Sequence, residues 1–171
     1  HCRRFEGGCL TIGMQEIERK YLTIDESWRE EVSRSMRIAQ GYLCSRRVTA
    51  RVRVCDNRGI LTFKSKSRDG GLSRFEWERT IPLGVAEQLL ARCSGVVDKV
   101  RHIVEYEGHT FEVDEFLGDN LGLTIAEVEL QSPDEEFMRP EWLGDEVTGI
   151  KRYYNSHLRT YPYSAWSDEE R

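Results

Sequence analysis

No stretch of this sequence stays apolar for the ~20 residues that a membrane-spanning helix requires. No segment has the basic start, apolar centre and small-residue cleavage site of a secretory signal. Cysteine is sparse: Cys2, Cys9, Cys44, Cys55 and Cys93 are odd in number and show no C-x-x-C spacing. That pattern excludes an obvious disulfide framework or zinc ribbon and fits a reduced, cytoplasmic protein. His102, His109 and His157 have neither metal-ligand spacing nor the setting of a nucleophile triad, so they read as structural or exposed. Gly70-Gly71 lacks the Gly-Lys-Ser/Thr ending of a phosphate loop and reads as a connection. An excess of basic residues is also missing. With 25 Lys and Arg against 30 Asp and Glu the formal net charge is −5, which argues against a general nucleic-acid binder. A small anionic ligand remains open, because its binding depends on local charge. The chain shows no repeat and no low-complexity tract, so its 171 residues suit one domain with a substantial core.

Strand-like sequence with paired charges is what the chain does have. Like charges recur at i, i+2 in Glu16/Glu18, Arg51/Arg53, Lys64/Lys66, Glu76/Glu78, Lys99/Arg101, Glu112/Asp114 and Glu127/Glu129. Alternate residues of a β-strand share a face, so each pair sets two charges of one sign on one side of a sheet. One or two such pairs would mark a solvated face. Four acidic and three basic pairs, repeating in strand phase, predict that one face is a shared polar interior.

The order of elements gives the fold. Strands are expected at Gln15 to Ile24, Arg37 to Ser45, Thr49 to Cys55, Ile60 to Lys66, Leu72 to Ile81, Val96 to Tyr106, Thr110 to Phe116 and Leu123 to Leu130. Asp56-Asn57-Arg58-Gly59 and Glu107-Gly108 read as hairpin turns. Asp25 or Ser27 is placed to cap a short helix through about Ser35, and Pro82 to open one over Val85 to Cys93. Ser132-Pro133-Asp134-Glu135 reads as a further helix start, Val147 to Arg159 as a terminal helix, and Tyr161 to Arg171 as a loose tail. Trp28, Trp142 and Trp166 read as packing aromatics, and Trp77 and Val128 as facing away from the acids that flank them. The fold class is therefore α+β, mainly β: an eight-stranded antiparallel barrel, closed into a tunnel, with peripheral helices and a C-terminal helix.

So many charges cannot be buried without partners, so such an interior must be hydrated or balanced by ligands and ions. Arginines and lysines on several strands can surround phosphoryl oxygens. The carboxylates would repel the same anion unless a hard cation intervened, and Mg²⁺ or Mn²⁺ bridges carboxylates to phosphates. A metal–polyphosphate site accounts for both signs together.

The sequence Glu16-Ile17-Glu18-Arg19-Lys20 fits the E-x-E-x-K signature of CYTH-domain proteins, the triphosphate tunnel metalloenzymes. From about Gln15 to Tyr154 the chain resembles that family, most of all its short bacterial inorganic triphosphatases. Gln40-Gly41-Tyr42-Leu43, Leu61-Thr62-Phe63-Lys64-Ser65, Gly71-Leu72-Ser73-Arg74 followed by Glu76 and Glu78, and Lys151-Arg152-Tyr153 add to the likeness in the same order. The resemblance implies an eight-stranded tunnel in which Lys20, Arg51, Arg53, Lys64, Lys99 and Arg101 contact a triphosphate. Lys99 stands where the short triphosphatases carry a lysine of their own. Tyr42 matches a tunnel tyrosine, and Lys151 lies on a helix that would plug one opening. Glu16, Glu18, Glu127 and Glu129 are implied as the main metal-binding carboxylates, with Glu76, Glu78 and Asp114 completing metal or water shells and Glu112 nearby. Glu16 and Glu18 are expected on the water-activating side, making them catalytic together with Lys99. The implied reaction is metal-assisted hydrolysis of tripolyphosphate to pyrophosphate and phosphate by a monomer or homodimer that binds neither nucleic acid nor membrane. Two alternatives use the same charges: an organic-triphosphate enzyme (a thiamine triphosphatase, an ATPase or an adenylate cyclase), or a polyphosphate-binding module without turnover. Met14 reads as a native start, so 1–13 is expected to be an N-terminal extension, 14–160 the tunnel domain and 161–171 a C-terminal tail.

Overall fold

A computed structural model describes residues 17–44, 48–65 and 76–171; at Cys44, Val48, Thr49, Lys64, Ser65 and Glu76 the description stops at the backbone. The elements are β1 (Ile17–Thr23), β2 (Val32–Cys44), β3 (Val48–Cys55), β4 (Arg58–Ser65), β5 (Glu76–Ile81), α1 (Leu83–Leu90), β6 (Val96–Tyr106), β7 (His109–Phe116), β8 (Thr124–Leu130), β9 (Leu143–Glu146) and the single turn α2 (Asn155–Leu158). The strand order is β5-β4-β3-β2-β6-β7-β8-β1-β9. Nine strands thus replace the expected eight, and the order is not closed. Two features account for this. The outer edge of β1 is taken by the short β9 through Tyr21↔Glu146 and Thr23↔Leu143, with an irregular register between them. At the other end β5 exposes Glu78, Arg79 and Thr80, a composition that suits an unpaired edge. The contacts divide the described chain into two compact units, one from Gln40 to Ser94 and one made of residues 17–39 with Gly95 to Arg171.

In the first unit, β3 and β4 form a hairpin closed by Cys55↔Arg58, and β4 pairs with β5. Asp56 takes the positive φ of the turn at 51°. Gly59, expected as the turn glycine, lies inside β4, where its missing side chain serves packing. A Cβ there would stand 2.6 Å from Ala86 Cβ and 2.9 Å from the Ile81 carbonyl oxygen. That close approach lets α1 lie on β3 and β4. Pro82 caps α1, as its fixed φ allows, with its carbonyl accepting from Val85 and Ala86 at 3.0 and 3.1 Å. Val52 is fully buried, and Phe63 and Trp77, opposite each other in register, stack at 5.5 Å.

In the second unit, β6, β7, β8 and β1 are consecutive antiparallel neighbours. Their alternation separates two apolar clusters onto opposite faces. Tyr21, Val104, Phe111, Val113, Ala126 and Val128 form one face, covered by Trp28, Phe137 and Trp142. Phe116, Ile125 and Val97 belong to the other, where Tyr153, Leu158 and Trp166 cover one end. Each large side chain withdrawn from water in this way contributes about 1.5–3 kcal/mol before its entropy cost. The orientation expected for Val128 is the one found.

Several segments expected to be helical are not. The helix after Asp25 is a 3₁₀ turn, Ser27–Glu31, because the Asp25 carboxylate takes the Ser27 N–H at 2.8 Å and the alternating run from Val32 extends β2. The segment after Ser132 makes one turn, in which the Glu135 N–H reaches the Ser132 carbonyl. Its Glu135 side chain then accepts from the Gln131 N–H and engages His109, and the chain continues without regular structure to Pro140. The terminal helix is divided by Gly149, at φ 79°, and by extended Tyr154 into a 3₁₀ turn, Lys151–Tyr153, and α2. Nor is the tail loose: Trp166 is buried, its ring edge-on to Tyr153 and Tyr163 at 5.1 Å each. No helix among the described residues is long and apolar enough to cross a membrane.

Two glycines of the first unit give opposite expectations. Gly59→Ala should lower stability by about 1–3 kcal/mol through overpacking against α1 and the Ile81 backbone. Gly84→Ala, in α1 with nothing within 4 Å, should raise it by about 0.5–1 kcal/mol. Urea unfolding of both variants checks the pair; equal effects would mean that α1 does not press on β4.

Candidate active site

The register of the second unit collects the expected charges into one row. Glu18 lies opposite Glu129, Lys20 opposite Glu127, Glu127 opposite Glu112, and Asp114 opposite Arg101. Opposite residues of antiparallel strands share a face, so β1, β8, β7 and β6 each supply side chains to the same surface. Lys99 follows Arg101 on β6 by two residues and is fully buried. Beyond Asp114 and Glu127 the same face passes to Phe116 and Ile125, so the row ends against the apolar cluster that carries Trp166.

Its members form a continuous ion-pair network. Arg101 donates from Nε and Nη2 to the two Asp114 oxygens at 2.7 Å each, from Nη2 to Glu127 at 3.1 Å, and from Nη1 to Glu112. Lys99 donates to Asp114 and, at 3.4 Å, to Asn155 Oδ1, with its ammonium 5.5 Å from the Phe116 ring centroid. Lys20 joins Glu127 to Glu18, the latter at 2.9 Å, and lies 5.7 Å from the Tyr154 ring centroid.

Burial and charge set the protonation states. Burial raises the carboxyls of Asp114 and Glu127, but neighbouring cations outweigh it. Arg101 and Lys99 hold Asp114 below the usual carboxylate range, and Arg101 and Lys20 hold Glu127 well below it. Burial pulls the Lys99 ammonium down to about 8, against the charge of Asp114. Glu18 keeps 38% of its side chain open, yet its carboxyl end is packed among neighbours. That packing, then the hydrogen bond to and the charge of Glu127, lift it to about 7 against Lys20. Glu18 and Glu127 therefore form a carboxyl–carboxylate pair in which Glu18 is the more readily protonated member. Two oxygen ligands of excess negative charge fit a hard divalent cation in chemistry. Among the described residues no three acidic, histidine or cysteine side chains are grouped as a metal cage.

The first unit holds a second set. Arg51 and Arg53 share the face of Thr62, which lies opposite both Arg51 and Glu78 in register. Thr62 donates to Glu78 at 3.0 Å and accepts from Arg51 Nη2 at 3.5 Å, while Arg51 and Glu78 stand 3.9 Å apart. Arg51 Nε is buried with no hydrogen-bond partner among the described residues, an orphaned donor of the kind that a phosphoryl oxygen satisfies. Arg53 donates to Gln40, which reaches Tyr42.

Of the residues expected from sequence, Glu18, Lys20, Lys99, Arg101, Glu112, Asp114 and Glu127 are joined in one network. Glu129 is exposed and lies opposite Glu18. Arg51, Arg53, Tyr42 and Glu78 belong to the first unit. Glu16 lies outside the described residues, as do Lys66 and Gly70-Gly71. Lys64 and Glu76 are placed by backbone only, opposite each other. Lys151 is exposed; from its segment it is Tyr154 and Asn155 that reach the lysines. Sequence reasoning missed these two, together with Gln40 and Thr62. Gln40 and Thr62 did carry a signal, since each stands in strand phase with a charged or tyrosine residue of the same face.

Residues 14–157 match the CYTH domain family. The chain is 40% identical over 157 residues to an inorganic triphosphatase of Acetivibrio thermocellus, covering 90% of this chain and 99% of that one. It is 35% identical over 149 residues to an inorganic triphosphatase of Nitrosomonas europaea, covering 85% and 97%. A solved structure of an inorganic triphosphatase superposes with a TM-score of 0.67 at 31% identity, over 86% of this chain and 96% of that one.

Asp114 is the member whose loss the network tolerates least. Asp114→Asn leaves Lys99 and Arg101 facing a neutral amide in a fully buried position, and should cost about 3–5 kcal/mol, as removal of one partner from a buried pair does. Glu112→Gln, at a half-buried side chain, should cost under about 1 kcal/mol. Urea unfolding at neutral pH measures both, and a smaller penalty for Asp114→Asn would remove the network's structural weight.

Proposed function

This chain belongs to the CYTH-domain family, and from that premise we propose that it hydrolyses inorganic tripolyphosphate to pyrophosphate and phosphate with a divalent cation. The observation that carries the reading is the charged row itself. Three cations and five carboxylates share one sheet face, and burial beside Glu127 lifts the carboxyl of one acid, Glu18, to about 7. A row with two more acids than bases suits a cation and an anion bound together better than either alone.

The roles follow from the partners. Lys20, Lys99 and Arg101 bind phosphoryl oxygens, and Asp114 and Glu112 fix the guanidinium and the buried ammonium in direction. Within the first unit, Arg51 and Arg53 are candidate anion-binding residues by themselves, with Lys64 and Tyr42 as the remaining candidates there. Glu18 and Glu127 are the residues that would hold Mg²⁺ or Mn²⁺, and Glu129 and Glu16 would be additional donors. When bound, the cation neutralises phosphoryl charge and makes a water ligand more acidic. Glu18, whose carboxyl is lifted to about 7, is the group we assign, in its ionised form, to accepting the proton of the attacking water. Water adds to a terminal phosphorus, the bridging P–O bond breaks, and pyrophosphate leaves. The names of the two relatives support tripolyphosphate as the substrate.

Phosphate release should be strong from tripolyphosphate with Mg²⁺ or Mn²⁺ and absent in EDTA. It should be weak from ATP, thiamine triphosphate and pyrophosphate. Preference for an organic triphosphate would overturn the substrate, and no release from any would leave a binding module. Glu18→Gln should lower turnover by about 100-fold or more, the scale of a lost general base, while metal-free affinity for tripolyphosphate stays within about twofold. Unchanged turnover in that variant would remove Glu18 from the site.

A further inference from the structure

Lys99 is fully buried at the end of the charged row, where the face passes to Phe116 and Ile125. An ammonium carries three donors and no acceptor. One donor goes to Asp114 and a second, at 3.4 Å, to Asn155 Oδ1; the third finds no partner among the described residues. Only an oxygen can face an ammonium, so the Asn155 amide has one possible orientation and its Nδ2 is the atom left over. That nitrogen carries two N–H donors, and neither is engaged among the described residues. Resting on the reading above, we propose that Asn155 is a substrate-binding residue whose Oδ1 holds the Lys99 ammonium and whose Nδ2 donates to the phosphoryl group bound there.

Packing sets the amide in place. Asn155 is half-buried and lies between Tyr153 and Leu158, which are 5% and 1% exposed and belong to the cluster that ends the row. The Leu158 N–H returns to the Tyr154 carbonyl at 3.0 Å, and the Tyr154 ring stands 5.7 Å from the Lys20 ammonium. Two apolar anchors thus hold the amide against the row, so the long hydrogen bond to Lys99 need not do so. A side chain serving the apolar cluster alone would not need an amide. One serving Lys99 alone would be a carboxylate, the stronger acceptor. The amide does what neither can, accepting from a cation at one end and donating to an anion at the other. An ammonium acts as a point charge and fixes the distance of a phosphoryl oxygen more than its direction. A planar amide beside it adds direction. Each phosphoryl group has more than one unbridged oxygen, so a group that accepts from Lys99 has another for Asn155.

The test is calorimetric titration of the full chain with tripolyphosphate in EDTA, which needs no turnover, together with steady-state phosphate release. Asn155→Ala should weaken binding by about tenfold, the scale of a lost hydrogen bond to a charged group. In turnover it should raise KM by a similar factor, with kcat within about threefold. Asn155→Asp keeps the shape and an oxygen for Lys99 but puts a second oxygen where the N–H donors were. It should weaken binding about tenfold further than Asn155→Ala does, because a negative oxygen then faces the phosphoryl group. Ser156→Ala, at the exposed neighbour, should leave affinity within about twofold. In a Lys99→Met background the added Asn155→Ala should change affinity by less than about threefold, because the group that the two residues share is no longer held there. If Lys99→Met fails to fold on a thermal melt, the order of Asn155→Asp and Asn155→Ala decides. Four results overturn the role of Asn155 even if the wild type hydrolyses tripolyphosphate: wild-type affinity in Asn155→Ala, binding by Asn155→Asp at least as tight as by Asn155→Ala, a matching loss in Ser156→Ala, or an equal Asn155→Ala penalty with and without Lys99. The expected order of affinities in a protein that releases no phosphate keeps Asn155 and removes the hydrolase reading. Failure of the wild type to bind tripolyphosphate at all overturns both.

Discussion

The carboxylate of Asp114 is fully buried with both oxygens committed, one to Arg101 and one shared between Arg101 and Lys99. Much of the second unit depends on that constraint. A buried ammonium and a buried guanidinium are tolerable only with an anion between them, and a buried carboxylate only with cations around it. Each group makes the others affordable, so the network is present as a whole or not at all. It also binds the strands to one register. A slip of one residue on β7 would turn Asp114 toward the apolar face and bring Val113 or Glu115 to the cations. The ion pairs therefore act less as a source of net stability than as a specification of which residues face which.

Around this network the apolar residues do two different jobs. Phe111, Val113, Ala126 and Val128 fill the reverse face and bear most of the burial. On the charged face, Phe116 and Ile125 mark where polar chemistry stops, and the C-terminal segment lays Tyr153, Leu158 and Trp166 against them. The same segment sets Tyr154 over Lys20 and Asn155 beside Lys99. One stretch of chain thus both packs the core and supplies contacts to the two lysines. This combination explains why residues after 147 are ordered without forming a long helix: their side chains must meet a surface that changes from apolar to charged within a few residues.

Alternation made the strands legible in sequence. Lys99/Arg101, Glu112/Asp114 and Glu127/Glu129 could be assigned to a common face before any register was known, and the register puts them there. The Glu107-Gly108 turn was equally plain, since both residues take positive φ and glycine and a short loop favour it. What could not be read was pairing. Nothing in the order of residues says that Arg101 engages three carboxylates, or that burial beside Glu127 lifts the carboxyl of Glu18, because both depend on which strands are neighbours. β9 was missed for a local reason: Leu143-Gly144-Asp145-Glu146 is short, polar and glycine-bearing, and it becomes a strand only because β1 offers an edge. The helix expected after Ser132 failed for a related one, since Pro133 and acidic residues signal a helix start whether or not a helix follows. Gln40 and Thr62 were overlooked because a neutral polar residue in strand phase looks like an exposed one until its burial is known.

Lys20 and Glu127 are 107 residues apart in the chain. During synthesis at ~5–20 residues per second, β1 emerges on the order of 10 seconds before the strand it pairs with exists. Throughout that interval it is an unpaired strand, the form of chain most prone to intermolecular pairing. Its sequence answers the hazard. Glu18, Arg19 and Lys20 put adjacent charges on both of its faces, so the residues that will later be buried in the network keep the nascent strand solvated while it waits.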